Sequence, residues 1–202
     1  MKYCQTNESE IIDEILGSIG FENLCKKAAE FGGGDGFNLS NIRHLKENHN
    51  FEIKQIDCES KNPDVIKAFI TAENINEIFE NNNINELDLL SIDIDGNDYW
   101  VWKSINIKPK VVVVEYNNNV DLEVAKTIKY NKEHVFKNND YYGASWLAFK
   151  KLGESKGYKL ARSNRLNMFF VAEEFSANVV INDMKPITFR GWPPGNGEWI
   201  YV

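Results

Sequence analysis

Basic charge is scarce in this 202-residue chain: 23 Lys and Arg stand against 30 Asp and Glu, a formal net charge of −7. Nucleic-acid binding leaves a basic footprint. The only adjacent basic pairs, Lys26-Lys27 and Lys150-Lys151, lie in no aromatic-rich basic stripe, so neither RNA nor DNA is an expected partner. Cysteine is scarce too. Cys4, Cys25 and Cys58 are an odd set, far apart, with no CxxC, which argues against a disulfide framework or a thiolate zinc site and for reduced thiols in a cytoplasmic protein. No apolar run approaches the ~20 residues of a membrane span, and MKYCQTNESE holds no apolar signal core. The phosphate-loop ending GK[ST] is missing, as are internal repeats.

What is present reads as one domain with a proper core, since 43% of the residues are hydrophobic. Asn7 with Glu10 has capping-box spacing, and Ile11, Ile12, Ile15, Leu16 and Ile19 follow on one helical face. A strand near Ala28–Phe31 leads into EFGGGDGFNLS, after which Leu39, Ile42 and Leu45 repeat at helical spacing. FEIKQID and VIKAFIT read as strands two and three, AENINEIFE as a helix, LDLLSID and KVVVVEYN as strands four and five. Val111–Val114 is an unbroken β-branched run, expected where both faces of a strand are covered. A helix from about Ala144 to Lys156 stops before Gly157, and YKLARSN and NMFFVAEEF form a closing pair of strands. Alternating strands and helices predict a doubly wound, mostly parallel α/β sheet with helices on both faces. FRGWPPGNGEWIYV fits neither period, so residues 176–202 are expected to be an irregular arm on the domain or on a second subunit of a homodimer. The runs Asn81–Asn83 and Asn117–Asn119 read as solvated loops, and His44 and His49 as surface residues.

Ligands of such sheets bind beyond the carboxyl ends of the strands, where strand order reverses. That rule collects Glu30–Gly36, Asp57–Glu59, Thr71, Asp93–Asp98 and Glu115–Asn117 on one rim. Four glycines in five positions exceed what a tight turn needs and suit a close backbone approach to a ligand. The position that a dinucleotide fingerprint would fill with its third glycine is Leu39. Glu30 and Asp35 would repel phosphate and suit a cationic ligand, while Asp57, about twenty residues on, is placed to take a ribose diol. Ribose, an amine and no phosphate point to S-adenosylmethionine.

EFGGGDGFNLSN, LDLLSIDIDGNDYWVW, PKVVVVEYN, YYGAS and KGYKLARSNRLNMFFV resemble, in order, the motifs of the FkbM-type bacterial branch of class I S-adenosylmethionine-dependent methyltransferases. The resemblance spans about Gln5 to Phe175 and implies a seven-stranded Rossmann-like domain over residues 1–175. It implies that Glu30, Gly32, Gly34 and Gly36 contact the methionine part of the cofactor, with Asp35, Asn38 and Ser40 completing that loop. Asp57 would hold the ribose, Cys58 the adenine edge, Phe69, Ile70 and Thr71 the adenine, and Asp93 the amino group or the acceptor. Surface-glycan biosynthesis is a setting the resemblance suggests; the acceptor is a small molecule it does not name. Ala28-Ala29 before the loop glutamate and CESKN after strand two depart from the usual pattern and leave the adenine pocket open.

Transfer from a sulfonium is an in-line displacement, so catalysis is largely positioning. An oxygen acceptor also needs its proton removed or its charge held. Asp93, Asp95 and Glu115, with His134 in the loop after strand five, are the candidates. Of Tyr141 and Tyr142 one packs and the other faces the acceptor; Tyr142 joins the catalytic set. Asp98, one turn into the next helix, is explained by the helix dipole alone. Trp100 and Trp102 are expected in core or interface. Asp93, Asp95 and Glu115 also form a hard oxygen set suited to Mg²⁺ or Mn²⁺. The rival reading takes Asp93-Ile94-Asp95 as the DxD of a metal-dependent nucleotide-sugar glycosyltransferase; a third is a non-catalytic relative.

Overall fold

Residues 3–182, 185–186 and 191–202 are described by the computed structural model. Among these residues nine strands follow in chain order: β1 Lys27–Phe31, β2 Glu52–Asp57, β3 Ile66–Lys67, β4 Leu89–Ile92, β5 Val111–Glu115, β6 Lys126–Ile128, β7 Tyr158–Ser163, β8 Asn167–Ala172 and β9 Trp199–Tyr201. The helices are α1 Glu8–Ile19, α2 Arg43–His49, α3 Ile75–Asn81, α4 Asp98–Ser104 and α5 Trp146–Ser155. Seven strands make one sheet in the order β3-β2-β1-β4-β5-β8-β7. The first five run parallel, and β8 joins antiparallel to β5 and to β7. The expected α/β Rossmann-like sheet is therefore present, with its order reversing between β1 and β4.

Alternation along the strands divides the core. Val111 and Val113 of β5 face α1 and α2 with Ile12, Leu16 and Leu45, whereas Val112 and Val114 face α3, α4 and α5 with Phe79, Trp102 and Phe149. Every residue of the valine run is buried, the consequence of helices on both faces. Asp88, at the amino end of β4, is fully buried but paired: Lys110 Nζ lies 2.6 Å from Oδ1, and the Lys27 amide donates to Oδ2. The acids at the opposite end of the sheet have other surroundings.

Several local expectations are corrected. Asn7 makes no side-chain cap on α1; Glu8 instead turns inward, accepting from the Thr6 amide and from Asn164 Nδ2. Leu39 is not helical. It sits at φ 61 and is exposed, and α2 starts only at Arg43, because the loop needs those residues to return to the sheet. VIKAFIT contributes only the two residues of β3. His44 is buried rather than surface, with Nε2 3.2 Å from Asp13 Oδ1, and His49 reaches the same oxygen at 3.1 Å. The Asn117–Asn119 run is no solvated loop, since Asn117 and Asn118 are buried. The arm is not wholly irregular either: β9 pairs antiparallel with β6 of its own chain, matching Thr127 to Ile200. As expected, Gly157 takes a positive φ of 77 just beyond α5, and Trp102 lies in the core. Trp100 packs partly, its indole donating to the Ile128 carbonyl. No helix of the described residues is long and apolar enough to cross a membrane.

Candidate active site

Two loops meet where the strand order reverses. Gly32 leaves β1 at φ 72, and a Cβ built on it would stand 1.7 Å from the main-chain oxygen of Asp93, at the end of β4. Its amide donates to Ile56 O on β2 at 3.0 Å. The glycine loop is thus pressed between the ends of β2 and β4, a contact that only a residue without a side chain permits. Beyond it the Gly34 amide donates to Asp57 Oδ2 at 3.0 Å, while Oδ1 accepts from the Glu59 and Ser60 amides. Asp57 is half-buried and faces the loop across the cleft.

The other residues of this cluster divide by role. Glu30 is buried and bonded at both oxygens: Ser40 Oγ and Gln55 Nε2 donate to Oε2 at 2.6 and 2.8 Å, and the Asn41 amide to Oε1 at 2.6 Å. Burial nevertheless pushes its carboxyl upward against these bonds. Glu30 and Ser40 therefore tie the far end of the loop to the sheet. Asp35 closes a turn, accepting from the Phe37 and Asn38 amides and from Asn38 Nδ2; the Asn38 amide foremost holds its pKa below the ordinary value. Thr71 exchanges bonds with Asn74 at the start of α3. Cys58 is an exposed free thiol whose pKa is raised by partial burial and by Asp57 and Glu59. Gln55 lies in no motif and Asn41 only closes the EFGGGDGFNLSN stretch; the fold reveals both as partners of Glu30.

The acids gather at the mouths of β4 and β5. Asp93, Asp95 and Glu115 each offer an oxygen within 4.8 Å of the others. Burial first, then Asp95 and Asp98, drives the Asp93 carboxyl well above the carboxylate range, while Glu115 lies within hydrogen-bonding reach. Glu115 is raised likewise by burial and by Asp93. Asp95, the most open of the three, is pushed up to about 6 by burial and by Asp98. Asp98 itself is buried; its carboxylate accepts from the Ile94 and Gly96 amides at 2.7 and 2.8 Å and so folds the DIDGN loop around itself. It is the loop's internal clasp, more than a dipole partner. Acids this close to one another share a proton or take up a cation.

A cavity of about 420 Å³ opens beside them, lined by Asp95, Glu115, Tyr142, Arg165, Phe136 and Trp192 among others. Tyr142 is the inward member of the tyrosine pair. Its phenol is held protonated by burial and by the charge of Glu115. Tyr141 faces the arm instead, its hydroxyl donating to Glu198 O. Asn117 fixes this wall, its Nδ2 donating to the carbonyls of Asp140 and Tyr142 at 2.7 and 2.8 Å. His134 packs on Gly96, outside the cavity lining. Burial lowers its pKa, and its Nε2 has no hydrogen-bond partner among the described residues.

The model of the FkbM methyltransferase domain matches residues 32–160, more than half of the chain, from the glycine loop into β7. The chain belongs to the FkbM methyltransferase family. The methyl donor of this FkbM methyltransferase is S-adenosylmethionine, and the glycosyltransferase reading of the DID motif falls. Curated protein sequences returned no match. Among solved structures the enzyme is similar to the N-terminal domain of EvdMO1 with SAH bound, at 10% identity and TM-score 0.48 over 84% of this chain and 82% of that one. The same domain in the presence of SAH and D-fucose gives the same score and identity over 83% of each chain. The citrinin polyketide synthase CMeT domain follows at 12% identity and TM-score 0.40, over 73% of this chain and 46% of that one. Likenesses so distant say nothing about the acceptor.

Proposed function

We propose that this methyltransferase carries the methyl group to a hydroxyl oxygen of a small cytoplasmic acceptor, a sugar or nucleotide-activated sugar destined for a surface glycan. The observation behind the oxygen acceptor is the crowding of Asp93, Asp95 and Glu115 beside the cavity. The glycan setting follows from the likeness of the motifs.

In this reading the donor lies along the Gly32–Gly36 loop. Asp57 keeps lone pairs for the ribose diol, since one of its oxygens accepts only a single backbone amide. Cys58 and Thr71 border the adenine, and Asp93 stands between donor and acceptor. Glu30, Asp35, Asn38 and Ser40 act on the cofactor by shaping the loop, because each is hydrogen-bonded to another residue in or beside it.

Three carboxylate oxygens within 4.8 Å match a hard divalent cation in chemistry and spacing. Asp93, Asp95 and Glu115 would hold Mg²⁺ or Mn²⁺, which when bound orients an acceptor hydroxyl and lowers its pKa. Without the cation, a carboxylate with a raised pKa can itself accept the proton, as a general base works best near the operating pH. Tyr142, kept protonated, donates to the acceptor. His134 has the weakest claim, as it lies outside the cavity lining.

Titration calorimetry of S-adenosylhomocysteine into EDTA-treated protein, with and without Mn²⁺, tests the reading. Micromolar binding weakened by Asp57→Ala is expected, together with Mn²⁺ binding that Asp93→Ala abolishes. Absence of nucleoside binding in both conditions would sink it. Nucleoside binding by a protein that binds no Mn²⁺ would leave the acids as proton acceptors alone.

A further inference from the structure

The C-terminal arm lies outside the matched family segment, yet it reaches the site. Asn119, two residues beyond the buried Asn117, accepts from the Gly191 and Trp192 amides at 2.9 and 3.1 Å. Further along, the Asp140 amide donates to Pro193 O and the Gly195 amide to Asp140 Oδ1, at 2.9 and 2.7 Å. Gly197 passes so near Tyr141 that a Cβ there would stand 2.1 Å from the ring. β9 then pairs with β6, and Lys126 Nζ sits 4.0 Å above the Trp199 ring. From Gly191 to Tyr201 the arm is fastened to the segments that carry Tyr142 and follow Glu115.

Its tryptophan has a particular place. Trp192 meets Phe136 edge to face, with centroids 5.3 Å apart at 84°, and Phe136 meets Tyr142 in the same way at 5.5 Å and 81°. The three rings form a series, and all of them line the cavity together with Glu115. Trp192 and Gly191 line the cavity, and Trp192 keeps 44% of its surface exposed. A large aromatic left half open over a cavity offers a flat apolar platform. Asp95 and Glu115 of the same lining offer acceptors when ionised and so suit a ligand rich in donors. One apolar face and an edge of hydroxyls describe a pyranose ring.

We propose that the C-terminal arm supplies the acceptor-binding wall, with Trp192 stacking on the face of the sugar ring whose hydroxyl is presented to Asp95 and Glu115. This rests on the methyl-acceptor reading above and adds a specificity-determining residue from a segment beyond the family domain. The donor cradle, at β1, β2 and β4, holds none of the described arm residues, so donor and acceptor binding separate experimentally.

Full-length protein saturated with S-adenosylhomocysteine is titrated with methyl β-D-glucopyranoside and methyl β-D-galactopyranoside, and with sorbitol as a polyol lacking a ring face. Binding is followed by saturation-transfer NMR. Wild-type protein is expected to bind a pyranoside and not sorbitol. Trp192→Ala should weaken that binding about tenfold, the order of one aromatic stacking contact, and Trp192→Phe should restore most of it. Affinity for S-adenosylhomocysteine, measured on the same preparations, should be equal in all three proteins, which also reports that each has folded. Unchanged pyranoside binding in Trp192→Ala overturns the proposal, as does the absence of pyranoside binding, or equal binding of sorbitol, in nucleoside-loaded wild-type protein. If the nucleoside itself does not bind, the methyl-acceptor reading fails with it.

Discussion

The α-carbon of Gly32 rests against the main-chain carbonyl of Asp93, so close that a Cβ would stand 1.7 Å from the oxygen. This contact joins the loop that would hold the donor to the loop that would meet the acceptor. It lies at the reversal of strand order, where two neighbouring parallel strands send their connections to opposite faces and leave a crevice.

Gly32→Ala is expected to cost on the order of 3 kcal/mol or more, because strain at positive φ adds to a clash with backbone that cannot swing away. Gly34 also has positive φ, 52, but nothing lies within 4 Å of its added Cβ, so Gly34→Ala should cost only about 1 kcal/mol. Thermal unfolding checks the order: the Gly32 variant should lose several times more Tm than the Gly34 variant. Equal losses would mean that the contact with Asp93 is not tight.

Asp95 takes φ 51, a conformation that Asn tolerates as well as Asp. Asp95→Asn should therefore leave Tm within about 2 °C of wild type, under roughly 1 kcal/mol, while removing one charge from the acidic cluster. Mn²⁺ affinity should fall at least about tenfold, consistent with the loss of one charged ligand. Calorimetry with the metal alone reads this without any acceptor. Undiminished Mn²⁺ binding would remove Asp95 from the ligand set.

Asn117→Ala leaves two carbonyls, the buried one of Tyr142 and the partly buried one of Asp140, without the amide that serves them. A destabilisation of about 2–4 kcal/mol is expected from two unsatisfied acceptors. The wall carrying Tyr142 should loosen while the donor cleft stays intact. In chemical denaturation the variant should unfold earlier, yet bind S-adenosylhomocysteine within about threefold of wild type, under 1 kcal/mol.

Glu8 provides a test in acid. Burial pushes its pKa up, but bonds from the Thr6 hydroxyl and amide and from Asn164 outweigh that and hold it below the ordinary 4.5. Because the folded value is the lower one, the unfolded chain binds more protons between the two, and stability rises with pH there. The contribution is complete above the unfolded value and is lost as pH falls through the folded one. Glu8→Gln should be less stable than wild type at pH 7, by on the order of 1–3 kcal/mol, and the gap should close below about pH 4. A gap constant down to pH 3 in urea unfolding would show that charge at Glu8 is immaterial.

Much of this was legible in the sequence because the periods are strong. The β-branched run of β5, the glycines after β1 and the acids after β4 each declare a local geometry, and the parallel sheet rule assembles them on one rim. The readings that failed were those in which a polar residue could serve solvent or interior equally well. Asn117 looked like loop composition and is a buried clasp; His44 looked like surface and is covered; Asn7 had the spacing of a cap and Glu8 took the role of local anchor. A polar side chain carries no signal of which neighbour will satisfy it, since the partner is often tens of residues away, as Asn164 is from Glu8.

The sequence by itself determined the sheet, the glycine loop after β1 and the identity of the acids, because these follow from residue type and short spacing. Only the tertiary structure decided that Glu30 and Asp35 are hydrogen-bonded around their loop, that Tyr142 and not Tyr141 turns inward, and that Trp192 lines the same cavity as Glu115. Those facts depend on contacts between segments far apart in the chain, and chain closure over such distances is fixed by packing of the whole domain rather than by any local preference.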